Sequence, residues 1–193
     1  MHNIYFVLRH GQSTANVAGI VLSSREEGEK IDYTLTPLGE EQVHESVAKS
    51  KETGALDLHT VIISSPFSRT RRTAEIAKEV LGTLNAFTID DRLRERWFGD
   101  WEKTPDTAYA KVWEEDKKNP DQVSAQVESV HAVQKRVLEL IDDLENEYRE
   151  RKILLVSHGD VLQILLTSMQ KQSPTMHREI QQLETAEIRK IEI

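Results

Sequence analysis

Ile4-Tyr5-Phe6-Val7-Leu8-Arg9-His10-Gly11-Gln12-Ser13 is a short apolar run that stops at an arginine, a histidine and a glycine. A continuous apolar run of this length, rich in aromatic and branched residues, fits a strand covered on both faces, as in parallel α/β sheets. Ligands of such sheets sit beyond the carboxyl ends of the strands. Arg9 and His10 therefore project to where a ligand arrives, and Gly11 lets the backbone come close to it. An isolated Arg-His pair is more often a surface turn. Lys152-Ile153-Leu154-Leu155-Val156-Ser157-His158-Gly159-Asp160 shifts that balance, because it repeats the design of an apolar strand ending in His-Gly. Two histidines at two strand ends can face one site.

The 193 residues predict a single domain over 1–193, large enough to bury a core without cross-links. The chain contains no cysteine, which removes disulfides, thiol nucleophiles and thiolate metal sites and fits a cytoplasmic location. The N-terminal apolar run lacks the basic flank and small-residue cleavage site of a signal peptide. The apolar run 161–166 is too short to span a bilayer, so no membrane partner is expected. A net charge of -8 argues against nucleic acid as a partner, since the long-range field repels polyanions. The basic residues at the strand ends fit instead a small phosphorylated metabolite in a locally positive cleft, because screening confines attraction to roughly 8 Å at physiological salt.

Outward from the first strand, 12–16 is polar and offers hydroxyl and amide groups, and 19–34 has no clear period and is expected to be an exposed loop. Thr36-Pro37-Leu38-Gly39-Glu40-Glu41 has the form of a helix start, with Thr36 as cap, Pro37 in the first turn and acids behind it; Gly54 is the expected stop. Residues 60–65 predict a second buried strand closed by Pro66. A helix then runs from Ser68 to a Gly82 cap with Ile76, Ala77, Val80 and Leu81 as its apolar stripe. Cations are disfavoured at a helix N-terminus, so Arg69, nearest the strand end, is assigned to an anion, and Arg71 and Arg72 to solvent. Residues 86–89 suggest a third strand, 104–119 a polar amphipathic helix, 121–128 a linker, 129–149 a long amphipathic helix, 161–169 a buried helix and 186–193 a last strand.

Taken as an ordered set, Arg9-His10-Gly11, Leu35-Thr36-Pro37-Leu38-Gly39 with Gln42, Ser65-Pro66-Phe67-Ser68-Arg69 with Thr73-Ala74, Leu93-Arg94-Glu95 with Phe98-Gly99-Asp100-Trp101-Glu102, and Ser157-His158-Gly159 resemble the histidine phosphatase superfamily, the phosphoglycerate mutase-like family. The resemblance spans almost the whole chain. It implies an α/β fold, a three-layer α/β/α sandwich with a mostly parallel central sheet. It further implies His10 as the phosphate-accepting nucleophile, Arg9, Arg69 and His158 with Gly159 as the phosphate pocket, Glu95 as proton donor, and Asn16 at a position that commonly contacts phosphate. The chain departs from the pattern twice, with Gln12 where many members carry Glu, and Lys103 where a glycine often follows Trp-Glu.

The chemistry is consistent with those residue types. Phosphoryl transfer relies on positioning and on stabilising charge on the three equatorial oxygens, which two guanidiniums and an imidazole supply. His10 must be neutral to attack, and like-charge repulsion from the arginines is expected to keep it so. Glu95 needs a raised pKa to begin as an acid, which burial beside Trp97 or Phe98 and an incoming dianion would provide. His2, His44, His59, His131 and His177 show no ligand spacing and are expected to be surface or structural, with no metal and no cofactor. The expected function is a metal-independent phosphatase acting on a small phosphomonoester, with specificity in 19–34 and 103–128. The competing readings are a mutase and a non-catalytic phospholigand-binding module.

Overall fold

Ile4–Arg9 forms strand β1, and each of its residues pairs in parallel with a residue of Lys152–Ser157, from Ile4 opposite Lys152 to Arg9 opposite Ser157. This register brings the two histidines together, since each follows the last paired residue of its strand. The structure is a computed structural model and describes residues 1–192.

Among the described residues the sheet has five strands. They are β1, β2 (Val61–Ser64), β3 (Thr88–Ile89), β4 (Lys152–Ser157) and β5 (Ile188–Lys190), in the spatial order β3-β2-β4-β1-β5. Only β5 runs antiparallel, along the edge of β1. The predicted third and last strands are shorter than 86–89 and 186–193, and Ile193 lies outside the described residues.

Seven α-helices accompany the described sheet: α1 (Thr14–Ala18), α2 (Arg25–Gly28), α3 (Pro37–Glu52), α4 (Ser68–Leu81), α5 (Ala108–Lys118), α6 (Val130–Glu147) and α7 (Gly159–Met169). The pleat sorts the sheet's side chains into two cores. Tyr5, Val7, Ile153 and Leu155 pack with α6 and α7, and Phe6, Leu8, Leu154 and Val156 with α3 and α4. Burial on both faces is why β1 and β4 read as unbroken apolar runs, and each buried large side chain contributes roughly 1.5–3 kcal/mol. The result is the three-layer α/β/α sandwich expected. No helix among the described residues is long and apolar enough to cross a membrane.

The helix punctuation follows the sequence signals. The Thr36 hydroxyl accepts from the Gly39 N–H with Pro37 in the first turn, Ser129 caps α6, and Gly82 ends α4 at φ 76. Segment 19–34 corrects the expectation of an exposed loop. Gly19–Val21 pairs with 103–106 through short backbone hydrogen bonds, and the Ile20–Pro105 bridge fixes the pairing. Val21 and Leu22 are thereby buried, Val21 in a third core with Phe98, Val112 and Val127. The missing signal is tertiary, since nothing in 19–34 announces a partner at 103–106. The expected linker 121–128 likewise ends in Glu128, whose carboxylate is clamped by Arg94 and Arg136.

Candidate active site

The close approach at the end of β1 is made by glycines. A Cβ on Gly11 would lie 2.3 Å from the Gly39 carbonyl oxygen, so the strand end sits against the first turn of α3. Gln12 completes this junction. Its N–H donates to Gln42 Oε1, and its own Oε1 accepts from the Thr36 hydroxyl at 2.9 Å. An amide thus serves as the acceptor at this junction.

His10 is buried at the centre of the site. Its Nδ1 is 2.7 Å from the Gly11 carbonyl oxygen, and its Nε2 is 3.1 Å from Arg69 Nε. A carbonyl only accepts and a guanidinium only donates. The ring therefore carries its proton on Nδ1 and a lone pair on Nε2. Burial, ahead of the nearby Arg69 and Arg9, holds the His10 pKa well below its ordinary value. Arginine repulsion contributes, but dehydration of the cationic ring leads.

Beside His10 the site holds buried nitrogens with no partner. Arg69, in the first turn of α4, gives Nη2 to the Leu22 carbonyl, while its Nη1 is buried and unbonded. Arg9 gives Nη1 to the Leu183 carbonyl and leaves Nε buried and unbonded. A Cβ on Gly159 would come within 3.4 Å of that Nε, so Gly159 at the start of α7 makes room for the Arg9 guanidinium. His158, its ring centroid 5.3 Å from that of His10, bonds Ser65 Oγ through Nε2 and leaves Nδ1 unbonded. Burial, then Arg69 and His10, keeps His158 well below its ordinary pKa. A buried polar atom without a partner costs about 1–3 kcal/mol. Arg9 and Arg69 line one cavity with His10, and their unbonded buried N–H groups describe a site for an anion.

Glu95 reaches the site from the loop after β3. Ser157 Oγ donates to the Leu93 carbonyl at 2.7 Å, tying that loop to the end of β4. One Glu95 oxygen accepts from the Arg96 N–H at 3.0 Å, and the other lies 3.6 Å from His158 Nδ1 and 3.7 Å from Arg69 Nη2. Burial raises the carboxyl to about 7, against the opposing pull of Arg69 and Arg9. Asn16 lies on the wall of the same cavity, but its Oδ1 is engaged with the N–H and hydroxyl of Ser13 in the capping box of α1. The cavity encloses about 420 Å³.

The sequence analysis missed what lies behind Glu95. Arg96 is fully buried and makes a two-pronged pair with Asp116 at 2.6 and 2.8 Å, and a third bond to Asp160 at 3.1 Å. Burial alone would raise the Asp160 carboxyl, but His177, Arg96 and Arg178 hold it below the usual range. Tyr109, Trp113 and Arg178 line the cavity as well. The only hint in the sequence is charge dense among aromatics in 90–102. Arg71 is exposed, as expected, whereas Arg72, expected in solvent, is half-buried and paired with Glu40 and Glu75. His177 is fully buried, with Nε2 3.6 Å from Asp160 and 3.8 Å from Asp116. Lys103, the second departure, adopts the left-handed φ of 60 that favours glycine, with Nζ 3.0 Å from Glu27.

Comparison with known proteins bears on the family and the fold. The family model described as "Histidine phosphatase superfamily (branch 1)" matches residues 5–193. A Bacillus subtilis protein named "Uncharacterized phosphatase PhoE" is 29% identical over 170 residues, covering 88% of this chain and 79% of its own. An Escherichia coli protein named "Probable phosphoglycerate mutase GpmB" is 32% identical over 171 residues, covering 85% and 73%. In fold, the chain is similar to a mycobacterial glucosyl-3-phosphoglycerate phosphatase solved with VO3. The TM-score is 0.79 at 24% identity, over 97% of this chain and 91% of that one.

Proposed function

Since the chain belongs to the histidine phosphatase superfamily, we propose that it is a metal-independent phosphatase that hydrolyses a small phosphomonoester through a phosphohistidine on His10. The observation that carries this reading is the convergence of Arg9, His10, Arg69 and Glu95 on one cavity, with Arg9 Nε and Arg69 Nη1 buried and unbonded and the His10 Nε2 lone pair turned to Arg69 Nε. The phosphatase-named relative and the phosphatase-like fold support it.

In the first step, phosphate oxygens take over the donors of Arg69 and Arg9, which releases the Nε2 lone pair from Arg69. His10 Nε2 then bonds to phosphorus as the ester P–O bond breaks, and Glu95 gives its proton to the departing alkoxide. The carboxylate left behind is the base for the second step. It takes a proton from water, the oxygen attacks phosphorus, the P–N bond breaks, and orthophosphate leaves with His10 neutral again. Throughout, the guanidiniums and His158 stabilise the equatorial oxygens.

Rapid quenching of turnover with radiolabelled substrate tests the intermediate. Protein-bound label should form in excess chelator, survive alkaline quench and be lost in acid, because P–N bonds are acid-labile, and His10→Ala should carry none. An acid-stable, alkali-labile adduct, or label on His10→Ala, would reject the assignment.

A further inference from the structure

Among the described residues that line the cavity, the buried carboxyls are Glu95 and Asp160, while Asp106 lies on the exposed rim. The steps above give Asp160 no part. It stands in the first turn of α7, just after His158, where a helix N-terminus favours an anion. Its oxygens are divided among several neighbours. Oδ2 accepts from Arg96 Nη1 at 3.1 Å, and Oδ1 accepts from the Trp113 indole N–H at 3.0 Å. Oδ1 also lies 3.5 Å from Arg178 Nη1 and 3.6 Å from His177 Nε2. Neither arginine is dedicated to it, since Arg96 makes its two-pronged pair with Asp116 and Arg178 donates to Gln163 Oε1. Arg96 also joins Asp160 to the proposed general acid, because the backbone N–H of that residue holds Glu95 Oε1.

When two carboxyls share a site, like-charge repulsion separates their acidities, and the one with fewer donors keeps its proton. Glu95 accepts one hydrogen bond among the described residues, from the Arg96 N–H, and its other oxygen has His158 and Arg69 only at 3.6 and 3.7 Å. Asp160 accepts two, at a helix start. Arg69 and Arg9 favour the ionised Glu95, whereas burial and Asp160 oppose it, and Tyr109, Arg136 and Arg178 also feel its charge. His177, Arg96 and Arg178 hold Asp160 ionised against its own burial. We infer that Asp160 is a positioning residue for the general acid: its negative charge, fixed on the cavity wall by Arg96 and Trp113, keeps the proton on Glu95 until the departing alkoxide takes it. Only Glu95 then meets the substrate. The inference rests on the hydrolytic reading above.

Carbon-13 NMR of the full chain labelled at the glutamate carboxyls tests it, with Glu95→Gln assigning the Glu95 signal, whose midpoint in the parent should lie at about 7. Asp160→Asn keeps the size of the side chain and an acceptor for Trp113 while removing the charge. It should lower the Glu95 midpoint by roughly one pH unit, the scale of one neighbouring charge. The alkaline limb of kcat/KM on an alkyl phosphate should move down with it. Asp160→Ser, neutral and suited to a helix start, gives the same reading if the amide variant does not fold. Trp113→Phe removes a donor from Asp160 but leaves the carboxylate, so it should not lower the midpoint. An unchanged or raised midpoint in the neutral variants, even with stability and activity lost, would make Asp160 a prop of the fold. A midpoint lowered as much by Trp113→Phe as by Asp160→Asn would assign the effect to packing of the wall and not to the charge. Either result overturns the inference. Failure of the hydrolytic reading shows separately, as absence of turnover on every ester by the parent chain, while the Glu95 titration, which needs no turnover, still decides the role of Asp160.

Discussion

Glu95 must be protonated in one half of the proposed reaction and ionised in the other, and its burial puts the balance near neutrality, at about 7. An acid matters most when the leaving group is poor. Glu95→Gln should therefore cost an alkyl phosphate roughly 10²–10⁴-fold in kcat/KM and a nitrophenyl phosphate much less. For the alkyl substrate kcat/KM should also decline above about 7, because only the protonated carboxyl donates, and the variant should lose that limb. Equal losses on both substrates would make Glu95 a positioning group. The nearby carboxylates are engaged elsewhere, with Asp100 accepting from Gln126 and Glu102 from the Ser23 N–H and hydroxyl. The same shift is a statement about stability. Between 4.5 and about 7 the folded chain keeps a proton that the unfolded chain has released, so stability falls as pH rises through that window. The penalty is complete above it and amounts to roughly 3 kcal/mol. Urea unfolding should show Glu95→Gln more stable than the parent at pH near 8, with the difference closing at acid pH. A difference that does not vary with pH would contradict the burial argument.

At the scale of elements, the site depends on the seam between the end of β1 and the start of α3. A methyl group at Gly11 would overlap the Gly39 carbonyl at 2.3 Å, and both sides of the clash are backbone. Gly11→Ala should push His10 away from Arg69 and lower kcat/KM on an aryl phosphate by roughly 10²-fold, the effect of displacing a reacting group by about 1 Å. Unchanged turnover would mean that the strand end yields without moving His10. This seam was legible in the sequence as two separate signals, a glycine after His10 and a capped helix start at Thr36, though not as one contact. β1 and β4 were legible because burial on both faces leaves an unbroken apolar run, and their ends located both histidines. The clamp behind Glu95 was not, because Arg96 finds Asp116 and Asp160 at separations of 20 and 64 residues. No local pattern distinguishes a buried arginine from the rim charges Arg92 and Arg94 around it. Segment 19–34 was misread for the same reason, its burial being supplied by a distant partner.

The whole molecule decides what would happen to the proposed phosphohistidine. Distant segments build the cavity, from the end of β1 to the 178–182 stretch, and Asn16, Asp106, Ala110 and Gln182 leave its rim exposed. A mutase must hold the departed alcohol, turn it and present its other hydroxyl before water arrives. Hydrolysis needs only that water cross the rim and meet the ionised Glu95. The sequence from Trp97 to Glu102 does not close the rim. Phe98 is packed in the third core with Val21, and Glu102 holds Ser23, so the motif supports the 19–23 segment and does not grip an alcohol. With 3-phosphoglycerate the chain should therefore release free phosphate at least as readily as it forms 2-phosphoglycerate, measured by phosphate release and isomer analysis on the same samples. The relative named for phosphoglycerate mutase, 32% identical, makes this the comparison that separates the two outcomes. Rapid interconversion of the two esters with little phosphate, especially if it depends on a bisphosphorylated primer, would mean that the exposed rim closes over the alcohol and that water loses the competition for phosphorus.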